Sequence, residues 1–128
     1  MTRRPPARER GRRGTTSIEF ALVGLACLLL VVATLDLGRA VWIHCALQFA
    51  VERAARCASV NASQCGTPSQ VAQYALSQML APGAQASSFG YSVASCGSSV
   101  TASVAFASAI TTYLGKPITL TAQSCYPV

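Results

Sequence analysis

The sequence predicts an α+β protein: a long N-terminal helix that crosses a membrane, a second short helix, and a small antiparallel sheet packed on the outer half of the long helix. Three observations support this fold class. An apolar run follows a basic tail, helix-favouring sequence continues beyond that run, and the last third of the chain alternates apolar and small polar residues. The chain has 128 residues, which is enough for one small domain.

Composition and charge indicate a membrane protein with its N-terminus in the cytoplasm. Hydrophobic residues make up 52% of the chain and charged residues only 11%, a ratio typical of membrane-associated chains. In residues 1–14, six arginines against Glu9 give +5, whereas residues 15–128 sum to only +1. A basic tail can also bind nucleic acid or anionic lipid. Because these arginines adjoin the apolar run, we favour a cytoplasmic leader, residues 1–14, and no nucleic-acid partner.

The predicted transmembrane helix occupies residues 15–37. The apolar stretch from Phe20 to Leu35 has 16 residues, and helical sequence continues after it. Removable signal peptides have apolar cores of about 7–15 residues before a small-residue cleavage site. We therefore expect a retained single-pass anchor in contact with lipid, and an exported domain over residues 38–128.

The helix is expected to continue over residues 38–60, since no proline lies between Pro6 and Pro68. The sequence therefore predicts one helix from about residue 16 to residue 60. Alanines spaced by four form a ridge on its outer half, namely Ala46, Ala50, Ala54 and Ala58. Such a ridge lets another helix approach closely, although alanine also favours helix for its own sake. Both interpretations remain open at this point.

The remaining elements follow from local signals. A loop is expected from Asn61 to Pro68, then a helix over 68–80 with a capping box formed by Thr67 and Gln70. Alternating patterns predict strands near 88–94, 100–107 and 117–123, with a turn at Cys96-Gly97-Ser98-Ser99. Such a small sheet needs a partner for one face, and the outer half of the long helix is the obvious candidate.

Four of the six cysteines lie in the predicted exported domain, where disulfides are expected. Three pairings are possible. We favour Cys57–Cys65, which closes a short local loop, and Cys96–Cys125, which ties the C-terminal segment to a strand or turn. No pair has the Cys-x-x-Cys spacing, so a thiol-redox or zinc-ribbon role has little support.

The sequence argues against an enzyme, a metal site and a cofactor. His44 is the only histidine, and Asp36 and Glu52 are the only carboxylates after the apolar run. No paired acids, phosphate-binding glycine loop or catalytic triad is evident. Asp36 and Arg39 have the spacing of an ion pair, and Glu52 can pair with Arg56 or with a neighbouring subunit.

One carboxylate, Glu19, lies near the start of the apolar segment. A charge in a membrane helix costs about 2.5–3.5 kcal/mol at the bilayer centre and less near an end, and such residues are usually functional. Glu19 follows Gly14 by five residues and precedes Phe20-Ala-Leu. This pattern behind a basic tail resembles the processing site of the type IV pilin superfamily.

Within that superfamily the chain resembles the TadE-like pseudopilins of tight-adherence (Flp) pilus systems. An acidic-x-Gly-Arg motif at the membrane exit carries the resemblance further, and an alanine-rich Glu-x-x-Ala-Arg pattern follows it. These motifs are Asp36-x-Gly38-Arg39 and Ala46-Leu-Gln-x-Ala50-Val-Glu-Arg-Ala54-Ala-Arg56. The resemblance covers roughly residues 12–60.

The resemblance implies that a prepilin peptidase cuts between Gly14 and Thr15, which removes the leader. It implies a role in assembling or priming a pilus for surface adhesion, with other pilins or pseudopilins and the inner-membrane assembly platform as partners. Cleavage frees an α-amine that is largely protonated at pH 7. Glu19, with Phe20 beside it, would then neutralise the amine of an incoming subunit, since a buried charge needs a partner.

Two alternatives stay open. Thr16 and Glu19 also fit a capping box at a helix start, where a carboxylate favours the positive helix end. The whole chain could equally be an unprocessed, signal-anchored envelope protein whose periplasmic domain binds a partner or ligand.

Overall fold

The computed structural model describes residues 12–108, 111–112 and 115–127, and for residues 12–16 it describes the backbone alone. Most of the expected leader therefore lies outside the described residues. The helices are α1 (Arg12–Val60), α2 (Ala62–Cys65) and α3 (Pro68–Gln78), and the strands are β1 (Phe89–Ala94), β2 (Gly97–Phe106) and β3 (Ile118–Tyr126). This confirms the α+β class. Two compact units, Met1–Leu35 and Asp36–Val128, are described separately below as the N-terminal and C-terminal units.

In the N-terminal unit, α1 presents apolar side chains that the chain itself does not cover. Over the most apolar 18-residue window of Ser17–Val60 the mean hydropathy is 2.6, and none of that window is buried. The hydroxyl of Thr34 donates to the Val31 carbonyl at 2.8 Å, so this polar group is satisfied within the helix. By length and composition α1 can cross a membrane.

The core of the C-terminal unit is built on one face of α1. Its buried α1 residues recur at helical spacing, which defines a single face. Side chains from α3 and all three strands complete the same cluster. The buried α1 residues are Leu47, Ala50, Val51, Ala54 and Ala55, and their partners include Val71, Ala75, Phe89, Val100, Ala102, Val104 and Ala122. The sheet therefore packs with the outer half of α1, as the sequence indicates, and α3 packs with the same part of α1.

The sheet is antiparallel, in the order β1-β2-β3. Burial alternates along β2: Val100, Ala102, Val104 and Phe106 are buried, and the residues between them are exposed. Pairing begins at Ala94↔Gly97 and ends at Phe106↔Ile118. The expected four-residue turn is wrong: only two residues separate β1 from β2, and Gly97 already belongs to β2.

The segment between α1 and α3 also differs from the expectation. The short helix α2 occupies part of the predicted loop, and the disulfide Cys57–Cys65 joins its end to α1 with a Cα–Cα distance of 5.8 Å. The predicted capping box on α3 is present. The Gln70 amide donates to Thr67 Oγ1 at 3.4 Å, and the Thr67 amide donates to Gln70 Oε1 at 3.2 Å.

The second disulfide joins Cys96, in the β1–β2 turn, to Cys125 near the end of β3, with a Cα–Cα distance of 6.2 Å. Both bridges are those favoured by the sequence. The 29-residue separation of this pair corresponds to about 3–4 kcal/mol of stabilisation in the chain-entropy description. The bridge thus fastens the β1–β2 turn to the last residues of β3.

Gly97 allows the hairpin and β3 to meet closely. Its φ is 118°, a conformation that favours glycine, and a Cβ there would collide with the Tyr126 carbonyl oxygen and lie 2.8 Å from the Pro127 Cα. Gly83 has a similar φ of 107°, but a Cβ at that position would meet nothing within 4 Å. An alanine at position 83 would therefore introduce backbone strain alone, whereas an alanine at position 97 would introduce both strain and a steric collision.

We predict that Gly97→Ala lowers the free energy of unfolding more than Gly83→Ala does. Strain alone costs about 1–3 kcal/mol, and only Gly97→Ala adds the collision with the backbone of β3. Thermal unfolding of the full chain in detergent micelles, followed by near-ultraviolet circular dichroism, measures both losses. Equal losses would contradict the close approach of Tyr126.

Candidate functional site

The Glu19 side chain is exposed on α1, within a stretch of exposed apolar side chains. Ile18 and Phe20, its chain neighbours, are 64% and 81% exposed. Among the residues that the structure describes, no side chain or backbone group forms a hydrogen bond or ion pair with the Glu19 carboxylate. That carboxylate is therefore open to a partner from outside this chain.

The start of α1 excludes one alternative for Glu19. Helix α1 begins at Arg12, and its first turn holds no acidic residue. Thr16 is thus inside the helix and is not its N-cap, so the capping-box interpretation is wrong for the full-length chain. The described helix extends from Arg12 to Val60, so the expected long helix from about residue 16 to residue 60 is confirmed. The backbone at Gly14 and Thr15 is helical.

At the expected membrane exit, Asp36 and Arg39 form the ion pair that their spacing predicts. Arg39 Nη1 lies 4.0 Å from Asp36 Oδ1, and the Arg39 and Asp36 side chains are 67% and 14% exposed, respectively. The Arg39 guanidinium carbon also lies 6.0 Å from the centre of the Phe106 ring. This stacking could not be read from the sequence, because Phe106 is 67 positions further along the chain. A Cβ at Gly38 would meet nothing within 4 Å, so no described contact requires glycine there.

The alanine ridge is covered by its own chain. Ala50 and Ala54 are fully buried and Ala46 is nearly so, while Ala58 is half-buried against the same core. Small side chains on this face allow close packing of the elements that share the core. The ridge is therefore part of the fold of the C-terminal unit.

The other charged residues on the outer half of α1, Glu52, Arg53 and Arg56, are exposed. Arg53 lies 4.9 Å from the centre of the Phe49 ring, a contact at i,i+4 that sequence spacing could have suggested. Gln48 Nε2 donates to Glu52 Oε1 at 3.5 Å, and no Glu52–Arg56 ion pair is found between these two described residues. His44 is exposed.

Two further features were not predicted. Trp42, Cys45, Ala46, Phe49 and Leu80 line an apolar groove of about 190 Å³. Cys27 and Cys45 are exposed free thiols. Among the described residues, no three or more His, Cys, Asp or Glu side chains are placed to hold a metal ion together.

Comparison with known proteins finds a similarity that covers the first half of α1 and most of its outer half. The family model described as TadE-like protein matches residues 14–56, which is 43 of the 128 residues. The match begins at Gly14 and includes Glu19, the membrane-exit motif and most of the alanine ridge. It confirms the resemblance that these motifs indicate. No curated protein and no solved structure matches the chain.

Proposed function

We propose that this chain, TadE-like over residues 14–56, is a minor pilin or pseudopilin that a prepilin peptidase cuts after Gly14. The mature chain would act in the assembly of a tight-adherence (Flp) pilus for surface adhesion. The family match indicates a pilin-like protein associated with a Tad pilus. The observation that carries the finer proposal is the position of Gly14 at the start of the match, five residues before an exposed glutamate on an apolar helix.

The exposed apolar surface of α1 supports anchoring in the inner membrane. None of its most apolar window is buried within the chain, and a bilayer is the environment that covers a surface of this length. The arginine-rich leader favours a cytoplasmic N-terminus. The two disulfides of the C-terminal unit fit an oxidising periplasm on the other side.

Cleavage after Gly14 would change the surroundings of Glu19. In the uncut chain Glu19 is the eighth residue of α1, counted from Arg12. In a chain that starts at Thr15 it becomes the fifth, close to the new positive terminus. The cut thus converts an interior helix position into one beside a helix N-terminus, where a carboxylate is favoured.

The partner we assign to Glu19 is the α-amine of a neighbouring pilin or pseudopilin. An unpaired carboxylate in an apolar helix bundle is costly, and a protonated amine offsets that cost through charge and hydrogen bonding. Glu19 has the exposure that such a contact needs. Phe20, the most exposed large apolar side chain among the described residues, lies beside it and adds apolar contact. The pilus assembly platform of the inner membrane would bring the subunits together.

We predict that Gly14→Asp blocks removal of the leader, because an acidic side chain replaces the residue before the cut. Membrane insertion should persist, since the apolar run is unchanged. Gly11→Asp is the matched control: it makes the same substitution and the same charge change three residues earlier. Electrophoresis of membrane fractions should show the longer, uncut chain for Gly14→Asp and the shorter chain for Gly11→Asp.

Normal processing of the Gly14→Asp variant would refute the assigned site. An uncut chain in the wild type as well would favour the unprocessed, signal-anchored alternative, in which the periplasmic domain binds a partner or ligand.

We predict that Glu19→Gln leaves processing intact but reduces the amount of pilus recovered from the cell surface. The amide keeps the size of the side chain and removes the charge that would pair with the amine. Glu52→Gln makes the same change on the exposed surface of the outer part of α1, and we expect normal pilus yield from it. Similar yields from both variants would contradict the role of Glu19.

A further inference from the structure

We propose that the C-terminal unit rests on the bilayer through a basal surface formed by Arg39, Trp42, Leu80, Lys116 and Ile118. In this inference Trp42, Leu80 and Ile118 enter the headgroup layer, and the two cations contact anionic lipid headgroups. The inference rests on the proposed membrane anchoring, and it goes further because it also assigns lipid contacts to Leu80, Lys116 and Ile118, which are far from the apolar segment in sequence.

Three separate segments of the chain meet at the end of the C-terminal unit where α1 enters it. The Arg39 guanidinium lies against the ring of Phe106, the last residue of β2. Phe106 pairs with Ile118, the first residue of β3. Leu80, which follows α3, lines the apolar groove together with Trp42. Residues 39–42, 80 and 118 therefore share one end of the unit.

The opposite end of the unit is marked by residues of α1 and β3 that lie close together. Gln48 Nε2 donates to the Gln123 carbonyl at 3.3 Å, and Arg56 lines a cleft together with Tyr126. Strand β3 thus runs alongside α1, from Ile118 near Arg39 to Tyr126 near Arg56. Val93 pairs with Ser98, whose other partner is Tyr126, so Val93 lies at the end away from the basal surface.

The chemistry of the basal surface matches a membrane interface. Trp42, Leu80 and Ile118 are large and exposed, and tryptophan together with basic residues is typical of the headgroup layer. The Asp36 side chain is only 14% exposed, whereas that of Arg39 is 67% exposed. The positive charge of this ion pair is therefore more accessible than the negative charge. Lys116, two residues before Ile118, is also exposed. Anionic lipids attract such cations.

The exposed apolar residues next to the basal surface favour a bilayer over another protein as the partner that covers this surface. Leu37 and Val41 are also exposed on the part of α1 that precedes Trp42, so further apolar side chains of the C-terminal unit adjoin the basal surface. A second copy of this chain is the other occupant to consider. It would cover Leu80 with protein, whereas the bilayer would cover it with lipid, and the two can be distinguished by a lipid-borne quencher.

The single tryptophan of the chain makes the test direct. In a Trp42→Phe background, we would introduce either Leu80→Trp or the control Val93→Trp, since Leu80 and Val93 are 75% and 74% exposed. Each full-length variant is reconstituted into vesicles of phosphatidylcholine and phosphatidylglycerol. Tryptophan emission is then recorded with phosphatidylcholine brominated at a shallow acyl position, and flotation after alkaline wash reports insertion of the helix.

We expect the Leu80→Trp variant to lose emission in brominated vesicles and to emit at shorter wavelength, while the Val93→Trp variant changes in neither respect. Floating vesicles with no quenching at position 80 would overturn the basal surface and leave the anchored pilin role intact. Equal quenching of both variants would also overturn it, because the whole unit would then lie on lipid. Failure to float would instead contradict membrane anchoring, and the inference with it.

Discussion

The packing of α3 and the sheet on residues 47–55 of α1 is the interaction on which the rest of the C-terminal unit depends. A three-stranded sheet of this size is stable only when one face is covered, and α1 supplies that cover. Buried alanines on α1 leave room for close packing, while Leu47 and Val51 fill the core. The disulfides add covalent links between segments of this same unit, one from α1 to α2 and one from the β1–β2 turn to β3.

The same helix has no such cover in the N-terminal unit. There the exposed side chains are almost all apolar, and Glu19 is the one carboxylate among those that the structure describes. One continuous helix thus meets two different requirements: its outer half is stabilised by its own chain, and its first half needs a bilayer or other helices. Because the alanine ridge is buried inside the fold, the exposed surface of α1 lies on its first half and on its remaining faces.

Much of the fold and of the candidate site could be predicted because the sequence patterns that indicate them are local. The capping box on α3, the alternation along β2 and the motif around Gly14 and Glu19 depend on residues close in sequence. The contact of Arg39 with Phe106 and the groove beside Leu80 depend on how distant segments pack, so no local pattern reveals them. The start of β2 at Gly97 was missed for a similar reason. A turn residue and a strand residue with positive φ look alike in sequence, and only pairing with Ala94 and the contact with Tyr126 distinguish them.

The proposed role of Glu19 depends on where the mature chain begins. The most direct measurement is the mass and N-terminal sequence of the wild-type protein extracted from membranes of cells that make the pilus. A chain that starts at Thr15, with or without a methyl group on its amine, is the predicted result. An intact Met1, or a start near Val41, would contradict it, because Glu19 would then have no place beside a newly formed amine.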